Sequence, residues 1–194
     1  MLRSQHTPDL TECGLDEAGR GCLAGAVYAA AVVLPKDYRN ERLNDSKQLT
    51  ERQRYALREE IERDALAWAV ASVPAEEIDR SNILRAAIHA MNMAVSQLSV
   101  TPELLLVDGN RFYNESLIPY LTVVKGDATY LSIAAASILA KTYRDDYMMQ
   151  LHARYPQYGW DCNKGYPTAA HYAALRQYGP TPEHRKTFKL KIES

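Results

Sequence analysis

The sequence predicts an α/β domain, and three observations carry that prediction. Short apolar runs rich in Val, Leu and Ala end in glycine-containing turns and read as strands. Residues 83–98 carry a longer stretch with helical spacing, and 129–154 a long stretch rich in Ala, Ile and Leu. The two kinds of segment follow one another as strands first, then helices alternating with strands, then helices, an order that suits a sheet covered by helices.

Each element has its own signal. Glu12 to Asp16 reads as a short strand, Glu17 to Gly21 as a turn, and Ala24 to Leu34 as a long apolar strand pairing with the first. After a polar connection from Pro35 to Asn44, Thr50 is placed to cap a helix carrying Tyr55, Leu57 and Ile61. Trp68 to Val73 reads as a third strand. Ser81 is the expected cap of a helix with Ile83, Leu84, Ala87, Ile88, Met91, Val95 and Leu98 on one face. Glu103 to Asp108 and Leu121 to Val124 are apolar runs that each deliver an aspartate at or just beyond their end, Asp108 and Asp127. A long helix is expected from Thr129 to about Arg154, and a last one from Thr168 to Tyr178, stopped by Gly179-Pro180. The Gly-, Pro- and Tyr-rich stretch from Pro156 to Pro167 marks the passage from core to C-terminal lobe.

Composition narrows the class. With 46% hydrophobic and 24% charged residues among 194, the chain can bury a core unaided. Three cysteines without CxxC spacing argue against a disulfide framework and a zinc site and for a reducing, cytoplasmic setting. No apolar run spans a bilayer, so no membrane role is expected. The net charge of −1 hides a division, because residues from Tyr155 onward carry +3 and the first 154 carry −4.

Acids stand at strand ends or adjoining turns in three separate segments, Asp16-Glu17, Asp108 and Asp127. Ligands bind at the carboxyl ends of strands in open α/β sheets, so these acids can meet in one crevice. Clustered carboxylates raise one another's pKa unless a cation compensates, and Mg²⁺ or Mn²⁺, which prefer oxygen ligands, are the natural candidates. Taken singly each acid has a plainer explanation, and Asp127 is equally placed as a dipole-favoured acid ahead of the long helix. Gly19-Arg20-Gly21 beside the first pair offers two permissive backbone positions that admit a sugar-phosphate backbone; alone it is also an ordinary tight turn.

In order along the chain, Asp16-Glu-Ala-Gly-Arg-Gly21, Asp45-Ser-Lys47, Asp108-Gly109, Lys125-Gly-Asp127 with Ser132 to Lys141 and Arg144-Asp145, Lys164-Gly-Tyr-Pro167 with His171, and His184-Arg-Lys-Thr-Phe188 resemble the motifs of type 2 ribonuclease H (ribonuclease HII) of the bacterial type. The resemblance implies a ribonuclease H-like fold, a mixed central β-sheet flanked by helices, with residues 1–155 as catalytic core and 156–194 as a helical, basic substrate-binding lobe of the same unit. It implies that Asp16, Glu17, Asp108 and Asp127 are catalytic and ligate two Mg²⁺ or Mn²⁺ ions. Gly19, Arg20 and Gly21 would read the ribonucleotide 2′-OH, and Tyr166 would stack at an RNA-to-DNA junction. Lys47, Lys164, Arg185 and Lys186 are assigned to phosphate contacts. A surface lysine is also simply solvated, and Tyr166 can pack on Trp160. His171 and His184 are not assigned to catalysis. Cys22 and Ala26, where the family often has proline, and Gln48, where a second lysine is frequent, depart from the pattern without touching a metal ligand.

The expected activity is endonucleolytic hydrolysis of the RNA strand of RNA/DNA hybrids, with cleavage 5′ of ribonucleotides embedded in duplex DNA, by a monomer. A non-catalytic hybrid-binding module is the competing reading. A small phosphotransferase is a third, and it lacks the GxxxxGK[ST] loop.

Overall fold

The computed structural model describes residues 2–43 and 49–190. Lys47, with Asp45, Ser46 and Gln48, lies outside them. Five strands, β1 (Glu12–Ala18), β2 (Val27–Val33), β3 (Ala67–Val73), β4 (Leu104–Asp108) and β5 (Tyr120–Val123), form one sheet in the order β3-β2-β1-β4-β5. β1 pairs antiparallel with β2 and β2 with β3, whereas β4 runs parallel to both β1 and β5. The sheet is therefore mixed.

Side chains alternate across a strand, and here the alternation sorts the core into two layers. Cys13, Leu15, Val27, Ala29, Ala31, Val33, Leu105 and Val107 pack against Ala87, Met91 and Ala94 of α3 (Ile83–Ser96). Ala30 and Val32 face the other way, onto α4 (Leu131–Arg154) and Leu57 and Ile61 of α1 (Glu51–Asp64). Gly14, Asp16 and Asp108 belong by parity to this second face. Gly14 lets α4 approach closely, since a Cβ there would stand 2.1 Å from the main-chain carbon of Ser132.

α1 begins where the sequence predicts. Gln53 donates its amide to the Thr50 hydroxyl, and the Thr50 amide donates to the Gln53 side chain, a reciprocal capping box. The Tyr55 hydroxyl and Arg58 both bond Asp146 of α4 at 2.6 Å. That link sets the register of α1 along α4.

Three expectations are corrected. Ser81 does not start α3; it is the C-cap of a short helix, α2 (Ala75–Arg80), and Asn82 caps α3 by accepting from the Arg85 amide at 2.9 Å. The long helix starts at Leu131, because Gly126–Ala128 forms a 3₁₀ turn first. The second strand starts at Val27, and Ala24 instead forms an isolated bridge with His184.

The stretch from Pro156 to Pro167 contains a 3₁₀ turn (Pro156–Tyr158) and a one-turn helix, α5 (Trp160–Asn163), before α6 (Ala169–Tyr178). Trp160 is fully buried and stacks on Tyr158 at 5.1 Å. Around this pair gather Leu23 and Ala24 from the β1–β2 connection, Met148 and Leu151 of α4, and Leu175 of α6. The C-terminal residues thus pack directly on the loop that follows β1.

Candidate active site

Register brings two acids together. Gly14 lies opposite Leu106 and Leu15 opposite Val107 in the parallel β1–β4 pair, so the next step along both strands sets Asp16 beside Asp108 on the α4 face. Asp16 is 6% exposed. Burial pushes its carboxyl well above the ordinary range, the nearby charges of Glu17 and Asp108 push it further, and a hydrogen bond with Ser137 of α4 partly opposes them. Glu17, of opposite parity, is also raised by burial, with opposition from Arg20, whose guanidinium donates to it at 2.9 Å. The Gly126 amide donates to Asp108 at 2.7 Å, so the turn after β5 orients that carboxylate. Asp127 follows on the same turn, 5% exposed, and is not among the residues lining the cleft.

The cleft above Asp16 encloses 290 Å³. Glu17, Asp108, Gly19 and Gly21 line it together with Arg54, Lys141 and Tyr166. Tyr166 is 40% exposed, and Trp160 takes Tyr158 as its partner in its place. Arg54 and Lys141 were not singled out from sequence. Lys141 ends the Ser132-to-Lys141 motif, but only the helix phase relative to Asp16 shows which way it faces; burial lowers its pKa, opposed by its ion pair with Asp145. A second hollow of 250 Å³ shares Glu17, Arg20 and Asp108 and continues over Leu84, Ile88 and Met91 of α3 to Asn110 and Arg111.

The oxygen-rich set fits a hard divalent cation: Asp16, Glu17 and Asp108 share one cleft, and their mutual repulsion is what a cation would relieve. Among the described residues no three acidic, histidine or cysteine side chains come together in a group already arranged to hold a metal ion. The acids line an open cleft.

The loop between β1 and β2 is held from beneath by two buried arginines. Gly19 has φ +94°, and a Cβ there would stand 2.1 Å from Nε of Arg144, so only glycine fits. Arg144 donates to the carbonyls of Ala26 at 3.0 Å, Ala24 at 3.1 Å and Lys164 at 2.9 Å. Arg185 donates to Gly25 through Nε and Nη2 at 3.0 and 2.9 Å, and to Arg20 through Nη1 at 3.0 Å. Arg185 is wholly buried, which corrects its assignment as a phosphate contact: its donors face the loop. Lys164 bonds the Asp161 carbonyl and Met149, while Lys186 is exposed with its amide on Asp79; neither lines the cleft.

Acids at the ends of adjacent parallel strands, in a cleft they share with Arg54 and Lys141, belong here to a mixed sheet of the ribonuclease H-like α/β class. Comparison with known proteins gives the particular family. Residues 13–192 match the family model of ribonuclease HII. The chain is 67% identical over 190 residues to ribonuclease HII of Bacteroides thetaiotaomicron, covering 98% of this chain and 95% of that one. Among solved structures, the ribonuclease H2 from Pyrococcus horikoshii OT3 superposes with a TM-score of 0.79 at 27% identity, covering 94% of this chain and 96% of that one. Bst-RNase HIII in complex with Mn²⁺ shares the fold at a TM-score of 0.71 and 18% identity, covering 93% and 68%. The chain belongs to the ribonuclease HII family, and is an endoribonuclease acting on RNA/DNA hybrids.

Proposed function

We propose that the protein cuts the RNA strand of hybrids and the 5′ side of ribonucleotides embedded in duplex DNA, leaving 5′-phosphate and 3′-hydroxyl ends. The observation that carries this reading is the single cleft that Asp16, Glu17 and Asp108 share with Lys141, Arg54 and an exposed tyrosine. Asp16, Glu17 and Asp108, with Asp127 on the neighbouring turn, would hold Mg²⁺ or Mn²⁺, consistent with the Mn²⁺ complex of the structural relative. When bound, a divalent ion held by these residues would supply Lewis-acid polarisation of the scissile phosphate and a lowered pKa for the attacking water.

The chain's own groups supply the rest. Lys141 and Arg54 oppose the acids and attract the phosphate backbone. The Arg20 carbonyl is turned inward to Arg185, and in a trans peptide the following N–H points the opposite way, so Gly21 offers its amide outward to the 2′-OH. Tyr166 stacks at the junction. The hollow along α3, with Arg20 and Arg111 on its rim, takes the adjoining backbone, and the exposed Lys186 suits only flanking duplex.

The test is cleavage-site mapping on a DNA duplex containing one ribonucleotide, with and without added Mg²⁺ or Mn²⁺. Asp108→Asn should lower turnover by at least about 1,000-fold, the order expected when a metal-borne charge-stabilising interaction is lost, while binding stays within a few-fold. Near-normal turnover in Asp108→Asn sinks the metal assignment. Tight binding without cleavage by the wild type favours the non-catalytic module.

A further inference from the structure

Two histidines in the C-terminal lobe lie outside the cleft, and both are fully buried. Their hydrogen bonds allow one arrangement of protons. Trp160 Nε1 is only a donor, and it lies 3.1 Å from Nε2 of His171, so that nitrogen accepts. Nδ1 of His171 must then carry the proton, which it donates to the main-chain carbonyl of Tyr166 at 3.0 Å. At the other ring, the Thr181 amide donates to Nδ1 of His184 at 2.9 Å. His184 is therefore protonated on Nε2, which faces Nε2 of His171 at 3.1 Å and shares that nitrogen's single lone pair with Trp160 in a three-centre contact. The result is a continuous path from Thr181 through His184 and His171 to the carbonyl of Tyr166.

The path starts at the peptide N–H of Thr181 and ends at the peptide carbonyl of Tyr166, groups that neither give up nor take a proton readily, so it is not a proton shuttle. What the path holds is the backbone of the one aromatic residue in the cleft. The Thr168 amide also donates to that carbonyl at 2.8 Å, and the Tyr166 hydroxyl meets the Cys22 thiol on the β1–β2 connection. The tyrosine is thus held at its main chain by the lobe and at its hydroxyl by the core.

We propose that His184 and His171 are positioning residues for Tyr166, fixing its ring for junction stacking so that they govern preference for a single ribonucleotide over a continuous RNA strand. The proposal rests on the role given to Tyr166 above. Freed from the path, the Lys164-to-Pro167 loop gains alternative conformers, and the ring spends less time where it stacks.

The experiment measures single-turnover cleavage of two substrates, a DNA duplex with one ribonucleotide and a continuous RNA/DNA hybrid, in Mg²⁺. Tyr166→Ala should lose about tenfold on the first, the scale of one stacking contact, and much less on the second. His184→Leu should reproduce that selective loss. His184→Gln, whose amide nitrogen can replace Nε2 as donor, should recover most of it, and Tyr166→Ala combined with His184→Leu should be no worse than Tyr166→Ala alone. Equal losses on both substrates in His184→Leu, or additive losses in the double variant, overturn the proposal.

Nitrogen NMR of the unaltered protein needs no variant to fold. It should find the Nδ1–H tautomer at His171 and the Nε2–H tautomer at His184, and the reverse at either ring overturns the path. If the wild type cuts neither substrate, the proposed function fails while the tautomers still judge the path. If it cuts both and Tyr166→Ala changes neither, the role of Tyr166 fails and the positioning role with it.

Discussion

Arg185 turns a question of surface charge into one of buried support. Its guanidinium serves the carbonyls of Gly25 and Arg20 from a fully buried position, and burial lowers its pKa to about 10. Arg185→Met would strand those acceptors, and buried unsatisfied groups cost about 1–3 kcal/mol each. Urea unfolding should therefore show a loss on the order of 3 kcal/mol, with no change in the salt dependence of substrate binding. A phosphate contact would behave in the opposite way, costing little stability and lowering the salt slope by about one. An arginine in a basic tail gives no local sign of burial, which is why its place was hidden in the sequence. Asp16 and Asp108 were easier to read, because an apolar run ending in aspartate fixes both the strand and the end on which the acid sits.

Among the elements, α3 was visible from its periodicity and α4 from its length and its richness in Ala, Ile and Leu. α2 was not: six residues, Ala75–Arg80, give too little repeat to see, and Ser81 beside Asn82 offers two residues of capping type where only one starts the next helix. The order of strands in the sheet was equally hidden, since pairing depends on contacts distant in sequence, and with it the register that sets Asp16 and Asp108 on one face. The approach of α4 to β1 is the element-level feature that matters most for the cleft. α4 carries both Ser137 and Lys141 into it. Gly14→Ala would place a methyl group 2.1 Å from Ser132 C and 2.4 Å from Ile133 N, main-chain atoms that yield only if the helix moves. The expected cost is about 1–3 kcal/mol, together with reduced turnover as Ser137 and Lys141 retreat from Asp16. Thermal melts and single-turnover rates check this; a variant unchanged in both would show that the helix has room to shift.

Across the whole molecule, acid should loosen the C-terminal lobe. His184 stays neutral when folded because burial, and next the neighbouring His171, lower its pKa from 6.5 to about 4; burial lowers His171 in the same direction. Between those values the unfolded chain binds more protons than the folded one, so stability is complete above about pH 6.5 and falls as pH drops toward 4. His184 alone contributes at most about 3 kcal/mol to that fall. Asp16 acts with the opposite sign, since a carboxyl held above its ordinary range folds more readily when protonated. Melts at pH 7 and pH 4.5 on wild type and His184→Gln separate the two: the drop should be smaller in the variant, and equal drops would show that the histidine does not set the acid limit.

The clasp of Arg185 on Gly25 spans 160 positions of sequence, and this bears on how the protein is made. A ribosome delivers the Gly19–Gly25 turn early, with its acids already attached, long before the arginine that orients its carbonyls has been joined to the chain. Until that late segment emerges and docks, the turn lacks the anchor that aims the Gly21 amide. Completion of the loop is thereby coupled to synthesis of the C-terminal lobe, and a polypeptide terminated before Arg185 carries the acids without the finished loop.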